Sequence, residues 1–245
     1  MPGTIDVVFV FVLVVVASIL EHWLFWPQFR KAVADGEPDA RVTGYRRGVF
    51  GQWAFVIAMA AIWINHDRSL AALRMAVPSG WRLAVSVVIV GAMVAFVVLQ
   101  LRSVQRLSAE RRVAIRPRLG AVAFLVPHTK REYRLFLALA GTAGVCEELL
   151  YRGYLTWFLA PWLGTAGAFV AVVALFGIGH AYQGRKGAIR ATAAGAVMTL
   201  IVVLTGWLVP AMIVHALIDA GSGTVGYWLL REPDGHSPLV VRDAA

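Results

Sequence analysis

Cys146-Glu147-Glu148-Leu149-Leu150-Tyr151-Arg152-Gly153 puts three charges into a run otherwise apolar enough to sit in a bilayer. A charged side chain near the middle of a spanning helix costs about 2.5–3.5 kcal/mol on insertion scales, so Glu147, Glu148 and Arg152 need partners or a task. Residues four apart share a helix face, so Glu148 and Arg152 can pair as a buried salt bridge. Glu147 points about 100° away and has no local countercharge. An unpaired carboxylate in low dielectric is suited to general acid or base chemistry near neutral pH.

The chain around this stretch is membrane-like throughout. Of 245 residues 59% are hydrophobic, too many for one soluble core of ordinary composition. Apolar runs able to cross roughly 30 Å of hydrocarbon fall near 5–25, 48–65, 83–101, 136–158, 164–182, 190–205 and 211–230. The expected fold is therefore an all-α polytopic membrane protein with about seven transmembrane helices, eight at most. Residues 1–118 would form an N-terminal three-helix region with a basic loop, 119–232 a four-helix catalytic core, and 233–245 a tail. The first run has no Lys or Arg ahead of it and no small-residue cleavage pattern after it, so it reads as a retained helix rather than a signal peptide. Leu119 to Pro127 is apolar but too short to cross, which predicts an interfacial or re-entrant piece.

A formal net charge of +9 invites a nucleic-acid reading, but its distribution argues against one. Arg30, Lys31, Arg41, Arg46 and Arg47 fill the first loop, nine more basic residues run from Arg102 to Arg134, and Arg185, Lys186 and Arg190 fill a third cluster. With Arg231 and Arg242 in the tail, these lie on one side of a seven-span arrangement; Arg68, Arg74 and Arg82 lie on the other. The positive-inside rule then predicts the N-terminus out and the C-terminus in, in a bacterial-type plasma membrane. No aromatic interleaving accompanies the basic loops, so no nucleic-acid partner is expected. The single cysteine, Cys146, excludes an internal disulfide and reads as a packing residue.

Ionisable residues inside the spans are unevenly placed. In the first three, Glu21 and His22 stand almost alone, beside Trp23 and Trp26, and read as an interfacial anchor. The last four hold Glu147, Glu148, Arg152, His180, His215 and Asp219. Phe176 and His180 are four apart, as are His215 and Asp219, so three helices each offer one polar face. Such faces cannot point at lipid and are best turned toward a shared hydrated cavity. A lone intramembrane histidine is most often a hydrogen-bond partner between helices, but the whole set favours a site. Depth strains this reading. At about 1.5 Å per residue, Glu147 lies roughly 20 Å from Arg134 but His180 only about 8 Å from Arg185, so helix tilt or a buried Tyr182-Gln183-Gly184 turn must close the gap.

Glu147-Glu148-x-x-x-Arg152, Phe176-x-x-x-His180 and His215-x-x-x-Asp219, in that order, resemble the three-motif signature of the CPBP family, which includes type II CAAX prenyl endopeptidases and bacteriocin-processing or immunity proteins. The resemblance covers roughly residues 120 to 232. It implies an intramembrane glutamic protease acting on a peptide or protein substrate, lipid-modified or not, with no cofactor. Glu147 would activate water with His180 assisting, while His215 and position 219 stabilise the oxyanion. Glu148, Arg152 and Phe176 would support them. An ionised Asp219 cannot donate to an oxyanion, so it must either be protonated or act indirectly by orienting His215, and the second is expected. A zinc site built from Glu147, His180, His215 and Asp219 is the alternative, weakened by the absence of a His-Glu-x-x-His pair. A proton-coupled transporter would be expected to show internal repeats, which are not evident. A catalytically silent scaffold would not need Glu147.

Overall fold

The computed structural model describes residues 1–230, with the backbone alone at 118 and 121. The expected tail, with Arg231 and Arg242, lies outside the described residues. Among these the chain is helical, without strands. Helix α1 spans Thr4–Ala34, α2 Ala40–Asn65 and α3 Trp81–Gln105. A short α4, Ala109–Ile115, leads into a 3-10 segment, Arg116–Leu125. Helix α5, Lys130–Glu147, continues through a π-helical stretch, Glu148–Leu155, into α6, Thr156–Gly179. Helices α7, Gly184–Thr205, and α8, Leu208–Leu230, complete the fold.

Six stretches are long and apolar enough to cross a membrane, and one of them, Lys130–Gly179, is 50 residues long. At 1.5 Å per residue it would be about two and a half times the length one crossing needs. Its helix breaks at Gly164, where φ is 66° and ψ 164°. Beyond the break the chain doubles back. The Tyr151 and Phe176 rings meet edge-on at 5.3 Å, and Leu155 and Phe158 share a cluster with Val172. This one stretch is thus a hairpin of two packed apolar arms rather than a single straight helix.

The same hairpin answers the depth problem. With 151 opposite 176 and 155 near 172, stepping four residues along each arm from 151 and 176 brings 147 level with 180. His180 is therefore at the level of Glu147, and the turn that follows it is tucked in. Residues Ala181–Gln183 form a single 3-10 turn, Tyr182 stacks on Trp26 of α1 at 3.6 Å, and Arg30 donates to its carbonyl.

Helix α8 lies against α5 because glycines let the backbones meet. A Cβ added at Gly144 would lie 2.7 Å from Ala216 Cβ, the Ala216 amide and the Met212 carbonyl; one at Gly223 would collide with the Phe136 ring. Two of the three atoms facing Gly144 are backbone and cannot step aside. Gly144→Ala is expected to cost about 1–3 kcal/mol of stability by overpacking. A thermal melt in detergent indistinguishable from wild type would show that α5 and α8 can separate freely.

The N-terminal helices brace this pair. Helix α2 packs on α5 and α3 on α8. The 3-10 segment does not cross: Arg41 Nε donates to the Phe124 carbonyl and the Tyr45 hydroxyl to that of Leu125, pinning it across the face that carries the basic loops. Cys146 is fully buried in an apolar cluster.

The expectation that Glu21 and His22 dominate the ionisable content of the first spans needs correction. Asp6, near the start of α1, is fully buried and accepts two hydrogen bonds of 2.7 Å from Arg68, one of 2.6 Å from the Tyr154 hydroxyl and one from the Gly3 amide. Arg68 also lies over the Trp157 ring at 4.4 Å. This network staples α1 to the α5–α6 hairpin on the face opposite the basic loops.

Candidate active site

Glu148 and Arg152 form the pair that their spacing predicts, at 3.0 Å with neither side chain exposed. Arg152 makes two further contacts. Its Nη2 donates to the Gly195 carbonyl at 3.0 Å, and its guanidinium lies 4.3 Å from the Phe176 ring centroid. Gly195 is required here, since a Cβ would approach Arg152 Nη2 to 2.7 Å.

The Glu148 oxygen held by Arg152 also meets His215 Nδ1 at 2.9 Å. An ionised carboxylate only accepts, so Nδ1 carries the proton and the ring is fixed with Nε2 turned toward the remaining acids. That nitrogen is 3.8 Å from Glu147 Oε2 and 3.6 Å from Asp219 Oδ2. The expected orienting role of Asp219 therefore falls to Glu148. Spacing along α8 does bring Asp219 beside His215, but at the free nitrogen and beyond hydrogen-bond reach.

Glu147 is not wholly unpartnered. Gln52 Nε2, on α2, donates to its Oε1 at 3.2 Å, whereas Oε2 is buried with no hydrogen-bond partner among the described residues. Reading along one helix could not reveal Gln52, although it is the lone amide in an apolar run from Val49 to Ile64. Glu21 also differs from expectation: it lies within electrostatic reach of Glu147 as well as near the Trp residues of α1. Replacing Gln52 with Leu should remove the one hydrogen bond to Glu147 and lower kcat about tenfold, equivalent to about 1.4 kcal/mol, with KM little changed. Unaltered kcat in the purified variant would show that the bond does not position the carboxylate.

His180 Nδ1 meets the Phe176 carbonyl at 2.8 Å, which leaves Nε2 as the available nitrogen. Its ring lies 4.4 Å from that of Phe176, whose other neighbours include Tyr151 at 5.3 Å, His215 at 6.1 Å and the Arg152 guanidinium. Phe176 is thus wedged between both histidines and the buried ion pair. Side-chain exposure rises from 11% at His215 through 18% at Glu147 to 41% at Asp219, so the cluster opens past Asp219. Two cavities of about 400 and 350 Å³ lie elsewhere, beside Arg74 and between α1 and α2. Among the described residues no group of three or more His, Cys, Asp or Glu side chains is disposed to hold a metal ion.

Over residues 130–221 the chain is similar to the family model of type II CAAX prenyl endopeptidases, Rce1-like. Every signature position from Glu147 to Asp219 falls within that segment. No curated protein and no solved structure matches the chain. The similarity supports the resemblance to the CPBP family and indicates a protease among integral membrane proteins.

Proposed function

We propose that this chain is an intramembrane endopeptidase in which Glu147 activates the attacking water. The observation that carries the reading is the buried, unbonded Oε2 of Glu147, 3.8 Å from an imidazole whose other nitrogen is tied to the Glu148–Arg152 pair. Glu147 takes a proton from water as its oxygen attacks the peptide carbonyl carbon, with His180 assisting through Nε2. His215, as imidazolium, donates from Nδ1 to Glu148 and from Nε2 to the oxyanion. The C–N bond then breaks as Glu147 returns the proton to the amine nitrogen. Glu148, Arg152 and Phe176 hold His215 in place, and Asp219 acts as an acceptor at the mouth of the site. The basic loops mark the cytoplasmic face, toward which the site opens, with the N-terminus outside.

The similarity makes a prenylated C-terminal peptide the first substrate to try. Protein reconstituted in liposomes is expected to cleave a farnesylated peptide or its unmodified counterpart, read by mass spectrometry. If neither is cut, and the membrane proteome is the same with wild-type and Glu147→Ala protein, the reading fails.

Zinc is the competing source of activated water, since Glu147 Oε2 and Asp219 Oδ2 each lie within 4 Å of His215 Nε2. On the proposed mechanism EDTA or phenanthroline leaves turnover intact and elemental analysis finds no stoichiometric metal. Stoichiometric zinc lost together with activity would favour the metal route.

A further inference from the structure

Three arginines, Arg68, Arg74 and Arg82, stand on the face opposite the basic loops, and their surroundings differ. Arg68 is spent on Asp6. The Arg82 guanidinium packs against Gly206, at the C-terminal end of α7, where helix carbonyls favour a cation. Arg74 has neither kind of partner: no carboxylate lies within ion-pair distance among the described residues, and its guanidinium rests 5.1 Å from the Phe169 ring centroid. Burial, with the charge of Arg82 nearby, pushes the Arg74 pKa below its ordinary value.

Its backbone is also unusual. Arg74 has φ of 58°, a left-handed conformation that residues with a side chain adopt rarely, and its carbonyl accepts from the Leu208 amide. The strain is held by tertiary contacts, including the buried Leu73 next to it, and it places the side chain on the wall of a cavity of about 400 Å³. Met1, Gly153, Thr156, Trp157, Ala160 and Thr165 line the same cavity, so the Arg74 guanidinium faces a space that also holds threonine side chains and an apolar wall. Exposed Trp81 and Trp162 at this end of the helices mark the level where aromatic belts meet the headgroups.

We propose that the cavity beside Arg74 binds a phosphate-bearing anion, drawn in the membrane from the phosphodiester of an anionic phospholipid. A guanidinium fork suits two phosphate oxygens, the volume suits a headgroup with its glycerol, and phosphodiesters are the abundant anions at this depth. This site is separate from Glu147 and independent of the proteolytic reading.

The test uses the full chain in a neutral detergent, with phosphatidylglycerol, inorganic phosphate or uncharged diacylglycerol added in turn. Phosphatidylglycerol is expected to raise Tm by about 5 °C at a hundredfold excess over Kd and to persist as a single adduct in native mass spectra, while diacylglycerol does neither. Arg74→Gln should abolish the shift and the adduct, and Arg82→Gln should keep both. Should Arg74→Gln fold poorly, Ala160→Trp fills the cavity with Arg74 intact and should abolish binding equally. A shift from inorganic phosphate as large as that from the lipid would identify the free ion as the source of the same chemistry. An equal lipid shift in wild type, Arg74→Gln and Ala160→Trp, or no shift from either phosphate-bearing probe, would overturn the site.

Discussion

Glu147→Gln abolishes cleavage while the protein stays folded: this is the largest single effect expected, a loss of at least about 10²–10⁴ in kcat, the usual contribution of a positioned general base. The change is nearly isosteric and leaves a carbonyl oxygen to accept from Gln52. Packing should therefore survive, and the thermal midpoint in detergent should stay close to wild type. What disappears is the ability of Oε2 to take a proton from water. Turnover by the purified variant at more than a trace of the wild-type rate would remove the glutamate mechanism.

The second large effect is on stability. Arg152→Met leaves Glu148 buried without its guanidinium partner, and breaking such a pair costs about 3–5 kcal/mol. Combining it with Glu148→Gln removes the stranded charge and should restore much of the loss. Viewed along the helix alone, activity would return with stability, because Glu147 is untouched. The contact between Glu148 and His215 Nδ1 predicts otherwise. The amide replacing Glu148 can accept from Nδ1 but cannot balance an imidazolium, so the double variant should be stable and still slow. Unfolding midpoints and kcat measured on the same preparations separate the outcomes. A double variant with full activity would reduce Glu148 to a counterion and leave the orientation of His215 to other contacts.

That difference shows where sequence reading stops. The Glu148–Arg152 pair, the faces carrying Phe176 with His180 and His215 with Asp219, and the all-helical, polytopic character of the chain were legible because helical periodicity and apolar length are local. The partner of Glu147 is 95 residues away, that of His215 67, and that of Asp6 62. Those pairings are set by which helices pack together, and no spacing rule reaches that far. Depth fell between the two cases. Distances to the nearest basic residues misplaced His180 because the 181–183 turn is tucked against Trp26, leaving Arg185 a poor marker of the membrane edge.

The hairpin around Gly164 also limits how the chain can change in length. His180 stays level with Glu147 only while the two arms hold matching numbers of residues between the turn and the site. One residue inserted within an arm would slide its distal part by about 1.5 Å and rotate it by about 100°, carrying the histidine off the carboxylate. Residues added at the turn itself lengthen the connection and leave both arms in phase. Variation in length is therefore tolerable at the tip of this hairpin and disabling along its sides, even where the inserted residue is as apolar as its neighbours.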